Sequence, residues 1–262
     1  MARPRLSITI ISLNEEEHIA RAIQSAAWAD EVLVIDSGST DRTVAIAQSL
    51  GAKVITHAWP GYGPQKNFAQ ANASHDWVLN LDADEAISEA SRLEIEATLE
   101  KVGRGEVQAV GFRFPRKNFY LGHWIRHGGW YPNYLVRLGQ KSLIRWSEPS
   151  VHEELLVQGE IGTMTEPLLH YSFTHLQDQV TTNLRFSKLG AEELKKANRS
   201  VTLAHLIWKP VGKFFETYFL KRGFQDGLPG FIISVNAAYS MFLKYAYTLE
   251  EGIKNADPDH RQ

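Results

Sequence analysis

Four short apolar segments in the first ninety residues constrain the fold of this chain more than any other feature. They cover residues 6–13, 31–35, 53–56 and 77–81, and a polar turn or a helical segment follows each of them. Their β-branched and leucine side chains are typical of strands that are covered on both faces. Strands that alternate with helices at this spacing form right-handed βαβ units, so the sequence predicts an α/β fold with a mostly parallel sheet.

Polar clusters stand directly after three of these predicted strands. Asn14 and Glu15 follow the first strand, residues 36–41 follow the second, and residues 82–85 follow the fourth. Ligands of parallel sheets bind outside the carboxyl ends of the strands, so we expect one rim to collect these side chains into a site. Asn14 is also expected to cap the next helix, with Glu17 three residues later in the capping-box position.

The composition excludes several classes of protein. The 262 residues suffice for one large α/β domain or a domain with an appended helical segment, and the net charge of −2 argues against a general nucleic-acid binder. The absence of cysteine excludes disulfides and cysteine-bound zinc. No signal-peptide cleavage site follows the first apolar stretch, and no window reaches the roughly 18 apolar residues of a spanning helix. A soluble or peripheral cytoplasmic protein is therefore expected.

Two carboxylates after the fourth strand suggest a metal site. In an extended chain residues i and i+2 point to the same side, so Asp82 and Asp84 are expected to face one site. Two carboxylates together with phosphate oxygens suit a hard cation such as Mg²⁺ or Mn²⁺. A solvated turn that caps the next helix would explain an isolated Asp-x-Asp equally well, but the position after a buried strand favours the metal.

The polar turn after the second strand suggests a nucleotide contact. Asp36 can accept hydrogen bonds from a base or a ribose, and the turn offers backbone N–H groups nearby. The alternative is an Asx or Ser/Thr turn that only leads into the next helix. A dinucleotide site is excluded, because no Gly-x-Gly-x-x-Gly follows the first strand.

The sequence pattern changes beyond residue 105, where antiparallel strands and long loops rich in aromatic, Arg and His residues are expected. From about residue 177 the pattern becomes helical. We therefore expect a catalytic domain over residues 1–175, with a donor half near 1–90 and an acceptor half near 105–175, and a helical segment over 176–262. Aromatic and cationic residues alternate in residues 208–224, which fits either a membrane interface or packing on protein.

Four motifs in the first ninety residues resemble the family 2 glycosyltransferases and occur in the order of that family. They are Ile11-Ser-Leu-Asn-Glu-Glu16, Val34-Ile-Asp-Ser-Gly-Ser-Thr-Asp41, Gly63-Pro-Gln-Lys-Asn-Phe-Ala69 and Leu79-Asn-Leu-Asp-Ala-Asp-Glu85. Later motifs are similar to the branch that builds bacterial lipopolysaccharide core, the heptose β-1,4-glucosyltransferase branch. They are Arg126-His-Gly-Gly-Trp-Tyr-Pro132, Arg137-Leu138, Val151-His-Glu153 and His170-Tyr171.

The resemblance implies the GT-A fold, a UDP-sugar donor, a divalent metal (Mg²⁺ or Mn²⁺) and inversion at the anomeric carbon. It places Asn14 and Glu15 near the base and ribose, and it gives Asp36 the uracil or ribose contact. Lys66 and Asn67 correspond to further donor contacts.

The metal motif of the family corresponds to Asp82 and Asp84, and Asp84 is expected to be the more direct ligand. In related enzymes a histidine downstream of the catalytic base completes the metal shell, and His170 stands in that position. An isolated histidine is more often a structural residue, so His170 has both interpretations.

An inverting transfer needs a base that takes the proton of the acceptor hydroxyl. Glu153 is the candidate base and Glu154 the alternative, because one of two neighbours on an alternating strand faces the cleft. A charged pair at a strand edge is the other explanation for these two residues.

The acceptor half contains residues that suit a diphosphate or an acceptor. Arg126, His127 and Arg137 could pair with the diphosphate or with an anionic acceptor, and Trp130 could stack on a sugar. Each of them could equally be a packing residue.

The expected function is transfer of a hexose, with glucose as the expected sugar, from a UDP-sugar to a hydroxyl of lipopolysaccharide core or a similar envelope glycan. A lipid-linked acceptor would bring the protein to the surface of the inner membrane. The alternatives are a transferase for another glycan or a protein acceptor, a nucleotidyltransferase, and a nucleotide-sugar-binding protein without turnover. A nucleotidyltransferase would carry a Gly-rich basic loop where this chain has Leu-Asn-Glu-Glu-Glu.

Overall fold

The computed structural model describes residues 3–147 and 153–256, with side chains up to residue 250. The contacts divide the chain into two compact units. The first contains residues 1–117 and 132–171, and the second contains residues 118–131 and 172–262. The segment 118–131, which lies in the expected acceptor half of the sequence, therefore belongs to the second unit.

The first unit begins with the βαβ units that the sequence predicts. The strands are β1 (Leu6–Ser12), β2 (Glu31–Asp36), β3 (Lys53–Thr56) and β4 (Trp77–Asp82), and the helices are α1 (Ile19–Ala26), α2 (Thr43–Ser49) and α3 (Tyr62–Asn72). The four strands are parallel in the order β3-β2-β1-β4. The predicted parallel sheet is therefore confirmed, and its carboxyl ends form one rim.

The remainder of the first unit adds one helix and mostly antiparallel strands. These elements are β5 (Glu85–Ile87), α4 (Glu89–Gly103), β6 (Gly111–Tyr120), β8 (Asn133–Gln140), β9 (Ile144–Trp146), β10 (Leu155–Val157), β11 (Ile161–Thr163) and β12 (Leu168–Phe173). Strand β8 pairs antiparallel with β4 and β6, β12 pairs antiparallel with β5, and β9 pairs with β10 in a separate ribbon. Strand β11 pairs parallel with β6. The predicted GT-A class of fold is confirmed: a parallel βαβ half is followed by a mixed half.

The core of the first unit lies beneath the parallel strands. Leu6, Ile8 and Ile10 of β1 are fully buried, as the apolar pattern of this strand predicts. Helix α1 buries its apolar stripe, which includes Ile19 and Ile23, in the same cluster. Burial of each such side chain contributes about 1.5–3 kcal/mol, so this core is the main source of stability for the rim above it.

The start of helix α1 differs from the prediction. The helix begins at Ile19 rather than at residue 15, and Asn14 is not its cap. Asn14 adopts a left-handed conformation with φ 55°, and its Oδ1 accepts a hydrogen bond from the Thr40 N–H at 2.9 Å. Its own N–H donates to Ser39 Oγ at 2.9 Å. The side chain therefore joins the end of β1 to the loop after β2, a long-range contact that the capping pattern does not reveal.

The second unit is mainly helical, as the sequence predicts for the C-terminal segment. Its elements are β7 (His123–Trp124), α5 (Leu176–Lys196), α6 (Leu203–Phe215), a π-helical turn (Glu216–Leu220), a 3-10 turn (Gly223–Asp226) and α7 (Gly227–Ala256). Helix α7 packs against α5 and α6. A buried polar contact anchors this packing, because Tyr120 and Asn236 both donate to Gln179 Oε1, at 2.5 and 3.0 Å. Among the described residues no helix is both long enough and apolar enough to cross a membrane.

Candidate active site

The loop after β2 is organised around Asp36, whose side chain is buried. Asp36 Oδ2 accepts hydrogen bonds from the N–H groups of Gly38 and Ser39, both at 2.9 Å. Asp36 Oδ1 accepts from Ser39 Oγ at 2.5 Å and from Ser12 Oγ at 3.2 Å. The Asx-turn interpretation of this aspartate is therefore confirmed, and a base or ribose would have to share oxygens that already hold the loop. The nucleotide contact of Asp36 stays a prediction.

Asp82 at the end of β4 is held between two cations. Its Oδ2 lies 2.5 Å from Arg137 Nη2, and its Oδ1 lies 3.1 Å from Lys66 Nζ. Burial by itself would raise the pKa of Asp82, but the charges of Arg137 and Lys66 hold it well below its usual range. Asp82 therefore stays ionised, and each of its two carboxylate oxygens forms an ion pair with a different cation.

Arg137 forms the floor of the site. It projects from β8 next to β4, is 3% exposed, and places Nη2 also 2.9 Å from Oε1 of the fully buried Glu85. Burial would lower the pKa of this guanidinium, but Asp82 and Glu85 raise it above its ordinary value. Its contact with a diphosphate or an acceptor stays a prediction, whereas its pairing with two carboxylates is a contact that the sequence did not indicate.

Lys66 of α3 connects two of the candidate residues. Its Nζ lies 3.0 Å from Glu153 Oε1 as well as 3.1 Å from Asp82 Oδ1. The ammonium lies 4.4 Å from the centre of the Trp146 ring and is almost completely buried. A buried cation of this kind can stabilise the charge of a leaving diphosphate, because it needs little reorganisation.

Asn67, the next residue of α3, fixes the position of strand β9. Its Nδ2 donates to the Trp146 carbonyl at 3.0 Å, and its Oδ1 accepts from the Trp146 N–H at 2.9 Å. The side-chain amide of Asn67 therefore makes the two hydrogen bonds to the backbone of Trp146 that a neighbouring strand would otherwise make. The donor contact that the sequence assigns to Asn67 stays a prediction.

Asp84 lies in a turn between β4 and β5, and not on an extended strand. The chain is therefore not extended between Asp82 and Asp84, as the sequence argument assumed, and the turn gives each carboxylate different partners. That the two carboxylates face one site stays a prediction. Asp84 Oδ2 lies 3.0 Å from His170 Nε2, and the Asp84 carbonyl accepts from the Tyr171 N–H at 2.9 Å. The pairing of β12 with β5 produces this contact, since it sets His170 opposite Glu85.

The residues present fit a divalent cation in part. Within the described part of the chain, no three His, Asp or Glu side chains are arranged to hold a metal ion. Asp84 and His170 nevertheless offer an adjacent carboxylate and imidazole, and both remain partly exposed. Carboxylate oxygens and imidazole nitrogens are both common ligands of divalent cations in proteins. The oxygens of Asp82 are occupied by Lys66 and Arg137, so Asp84 is the better candidate for direct contact.

The two candidate bases differ in their surroundings. Glu153 is half-buried and contacts Lys66, whereas Glu154 is exposed. Glu154 pairs through its backbone with Ser147, donating to Ser147 Oγ at 2.8 Å and accepting from the Ser147 N–H at 2.9 Å. Residues 151 and 152, which belong to the same motif, lie outside the described residues. The catalytic role of Glu153 stays a prediction, and its position beside Lys66 supports it.

Three predicted acceptor residues lie in the second unit. Asp226 accepts hydrogen bonds from the N–H groups of Arg126 and His127, and His127 Nδ1 lies 2.9 Å from Asp226 Oδ1. Trp130 packs against the ring of Tyr120 with centroids 5.5 Å apart. These contacts are structural within this unit, and the acceptor roles of Arg126, His127 and Trp130 stay predictions.

Glu15 lies in a region of dense negative charge. Its N–H donates to Thr43 Oγ1 at 2.7 Å, which holds the residue at the rim. Partial burial, followed by the charges of Asp84, Asp41 and Asp82, raises the pKa of Glu15 to about 7. A bound cation would relieve this excess of negative charge.

The raised pKa of Glu15 predicts a pH-dependent effect of its replacement. Between pH 4.5 and about 7 the native state binds more protons than the unfolded state, so the contribution of Glu15 to stability falls as the pH rises through this window. We expect Glu15→Gln to raise the melting temperature relative to wild type at about pH 8 but not at about pH 5. The control is Glu160→Gln, at an exposed position whose charge does not contribute to the raised pKa of Glu15. A difference that does not change with pH would contradict the expectation.

The comparisons with known proteins identify the chain as a glycosyltransferase. The model of the family described as glycosyl transferase family 2 matches residues 7–156, and the chain belongs to this family. An uncharacterized glycosyltransferase of Rickettsia felis is 33% identical over 96% of this chain and 92% of its own length. The lipopolysaccharide core biosynthesis glycosyltransferase LpsC of Rhizobium meliloti is 29% identical over 97% of this chain and 95% of its own length. A solved structure of S. aureus TarS 1-349 covers 97% of this chain and 92% of that chain, with a TM-score of 0.46 and 17% identity.

Proposed function

We propose that this glycosyltransferase moves glucose from UDP-glucose to a hydroxyl of lipopolysaccharide core, or of a similar envelope glycan, with inversion at the anomeric carbon. The observation that carries the mechanistic part is the bridge from Asp82 through Lys66 to Glu153. In this bridge the buried ammonium of Lys66 pairs both with Asp82 of the predicted donor motif and with Glu153, the proposed base. The similarity to LpsC along almost the whole chain supports the acceptor class.

The proposed reaction is a single displacement. The acceptor hydroxyl oxygen forms a bond to the anomeric carbon, and the bond from that carbon to the diphosphate oxygen breaks. The hydroxyl proton passes to Glu153, and the electron pair of the broken bond leaves with UDP. Lys66 is positioned to stabilise the charge that develops on the diphosphate, because its ammonium is already held at the rim.

A divalent metal, Mg²⁺ or Mn²⁺, would be held by Asp84 and His170, with Asp82 nearby. When bound, it would neutralise charge on the donor diphosphate. Other contacts hold these residues in position. Arg137 pairs with Asp82, and the contact between Asp84 and His170 joins the turn between β4 and β5 to strand β12.

The proposed acceptor is a lipid-linked glycan, which would be met at the inner face of the inner membrane. Arg126 and His127 are the proposed contacts for anionic groups of the acceptor, and Trp130 is the proposed stacking surface for a sugar. These three assignments rest on the resemblance of residues 126–132 to the lipopolysaccharide branch.

A thermal-shift panel tests the donor and the metal together. We expect UDP and UDP-glucose to raise the melting temperature in the presence of Mn²⁺, and UDP-galactose and GDP-mannose to raise it less. A ligand at about 100 times its Kd adds about 2.7 kcal/mol to the free energy of unfolding. In Asp84→Asn the Mn²⁺-dependent part of the shift should disappear, because the substitution removes the charge and keeps the shape of the side chain.

The matched control for this variant is Asp76→Asn, at an aspartate one residue before β4 and so at the opposite end of that strand from the rim. An Asp84→Asn protein with the full Mn²⁺-dependent shift would remove Asp84 from the metal site. If no nucleotide stabilises the wild-type protein, the proposed donor class is wrong. Transfer of labelled glucose to isolated lipopolysaccharide core then separates this acceptor from other glycans or proteins.

A further inference from the structure

Helix α6 is apolar but buries none of its residues. Leu203, Ile207, Val211 and Phe215 follow one another at intervals of four residues, and each of them is exposed. Trp208 on the neighbouring row is 69% exposed. Helices in water gain most of their stability from an apolar face that is covered, so this face is expected to meet another apolar surface.

The exposed apolar surface continues beyond the helix. Phe219 and Leu220 of the π-helical turn, Phe224 of the 3-10 turn and Leu228 at the start of α7 are all exposed, and Leu220 reaches 80%. We call residues 203–228 with these exposed side chains the α6 surface. It is larger than the scattered single apolar residues that are normal on a protein surface.

The charges of the α6 surface identify what covers it. Residues 203–228 contain the four cations Lys209, Lys213, Lys221 and Arg222 against the two carboxylates Glu216 and Asp226, although the whole chain has a net charge of −2. Asp226 is engaged with His127, at 2.9 Å between Oδ1 and Nδ1. Glu216 pairs with two of these cations: its Oε2 lies 3.1 Å from Lys213 Nζ, and its Oε1 lies 2.6 Å from Lys221 Nζ. Lys209 and Arg222 are exposed, and no carboxylate of the described residues pairs with them. The surface therefore has an uncompensated positive charge.

This combination distinguishes a membrane from a second protein. Lysine is depleted in the cores of protein–protein interfaces, which makes a dimer contact through this surface unfavourable. Interfacial helices instead combine Lys and Arg with Trp, Phe and Leu, and anionic head groups attract the cations. An open groove of about 660 Å³ between α6 and α7 has the same mixed character, since Trp208 and Tyr245 line it together with Lys209 and Lys213.

We propose that the α6 surface docks on a bilayer that contains anionic phospholipid. Trp208, Leu220 and Leu228 enter the boundary between head groups and acyl chains, and Lys209 and Arg222 contact lipid phosphates. This contact does not depend on which sugar donor the first unit binds, so it can fail or hold independently of the proposed function.

Vesicle sedimentation of the full chain tests the proposal. Wild-type protein is expected to bind vesicles of equal parts phosphatidylglycerol and phosphatidylcholine, and to bind pure phosphatidylcholine vesicles at least roughly tenfold more weakly. High salt should weaken binding to the anionic vesicles, because it screens the exposed cations. Replacing Lys209 or Arg222 by Gln should each lower the partition coefficient roughly fivefold.

The apolar part of the contact has a matched control. Trp208→Ser combined with Leu220→Ser should abolish binding, whereas Trp59→Ser combined with Leu93→Ser should not, because Trp59 and Leu93 are exposed residues of the first unit. Circular dichroism checks that both double variants remain folded. Equal binding of all these proteins, or no binding by wild type, would overturn the proposal. So would self-association of wild type that the Trp208/Leu220 variant loses, since a second copy would then cover the surface.

Discussion

Glu153→Gln is expected to lower kcat by about 10²–10⁴-fold while the affinity for the nucleotide sugar stays close to that of wild type. Glutamine keeps an oxygen that can accept the hydrogen bond from Lys66 Nζ, now 3.0 Å from Glu153 Oε1, but it cannot take a proton from the acceptor hydroxyl. The substitution therefore separates proton transfer from the positioning of Lys66. Initial rates with saturating donor give kcat, and calorimetry of UDP-glucose binding gives the affinity.

The neighbouring Glu154 provides the control. Its side chain is exposed and its backbone contacts Ser147, so Glu154→Gln should leave kcat within about twofold of wild type. Near-normal turnover in Glu153→Gln together with a large loss in Glu154→Gln would move the base to Glu154. Near-normal turnover in both variants would place the base elsewhere. A loss of donor binding in Glu153→Gln would instead indicate that Glu153 acts mainly by positioning Lys66 for the donor, and not as the base.

Arg137→Met is expected to remove about 3–5 kcal/mol from the free energy of unfolding at neutral pH. Methionine fills similar space, but it leaves the carboxylates of Glu85 and Asp82 without their main cation. Glu85 has no exposed surface, so water cannot replace the lost contact. Urea unfolding followed by circular dichroism measures this loss. It should shrink at lower pH, because Arg137 helps to hold the pKa of Asp82 below its usual range and protonation of Asp82 removes this part of the difference.

Arg92 offers a matched comparison, because it also pairs with two carboxylates. Its partners Glu89 and Glu96 lie at 2.5 and 2.9 Å on the surface of α4, and Arg92→Met should cost far less stability than Arg137→Met, because solvent screens these charges. The double variant Arg137→Met with Glu85→Gln should recover part of the loss, since the buried charge disappears together with its partner. An Arg137→Met protein as stable as Arg92→Met would show that burial does not control the energy of this network.

The parallel half of the fold could be predicted from local patterns. Strand β3 has the predicted ends, and β1, β2 and β4 differ from the prediction by one residue at most at either end. The reason is physical: buried strands require continuous apolar runs, and each run is bounded by turn residues. The position of Asp82 at the end of β4 follows from the same pattern.

The contacts of the site could not be predicted in this way. Asn14 has the sequence context of a helix cap, yet it contacts Thr40, which is 26 residues away. Arg137 meets Asp82 and Glu85 across 55 and 52 residues, and no local periodicity marks such a pair. The turn at Asp84 depends on the pairing of β5 with β12, which lies more than eighty residues later in the chain. Local sequence therefore indicates which residue types meet at the rim but not which atoms pair.

The contacts at the rim also determine when this site can exist during folding. Lys66 meets Glu153 over 87 residues, and Asp84 meets His170 over 86. Each of these contacts closes a large loop, and the chain loses conformational entropy before the contact contributes any stability. These long-range contacts are therefore expected to form after the local βαβ units. A chain still being synthesised can complete its parallel strands while Glu153 and His170 are absent. The proposed nucleotide binding should therefore report the completed first unit, and partly synthesised chains should lack it.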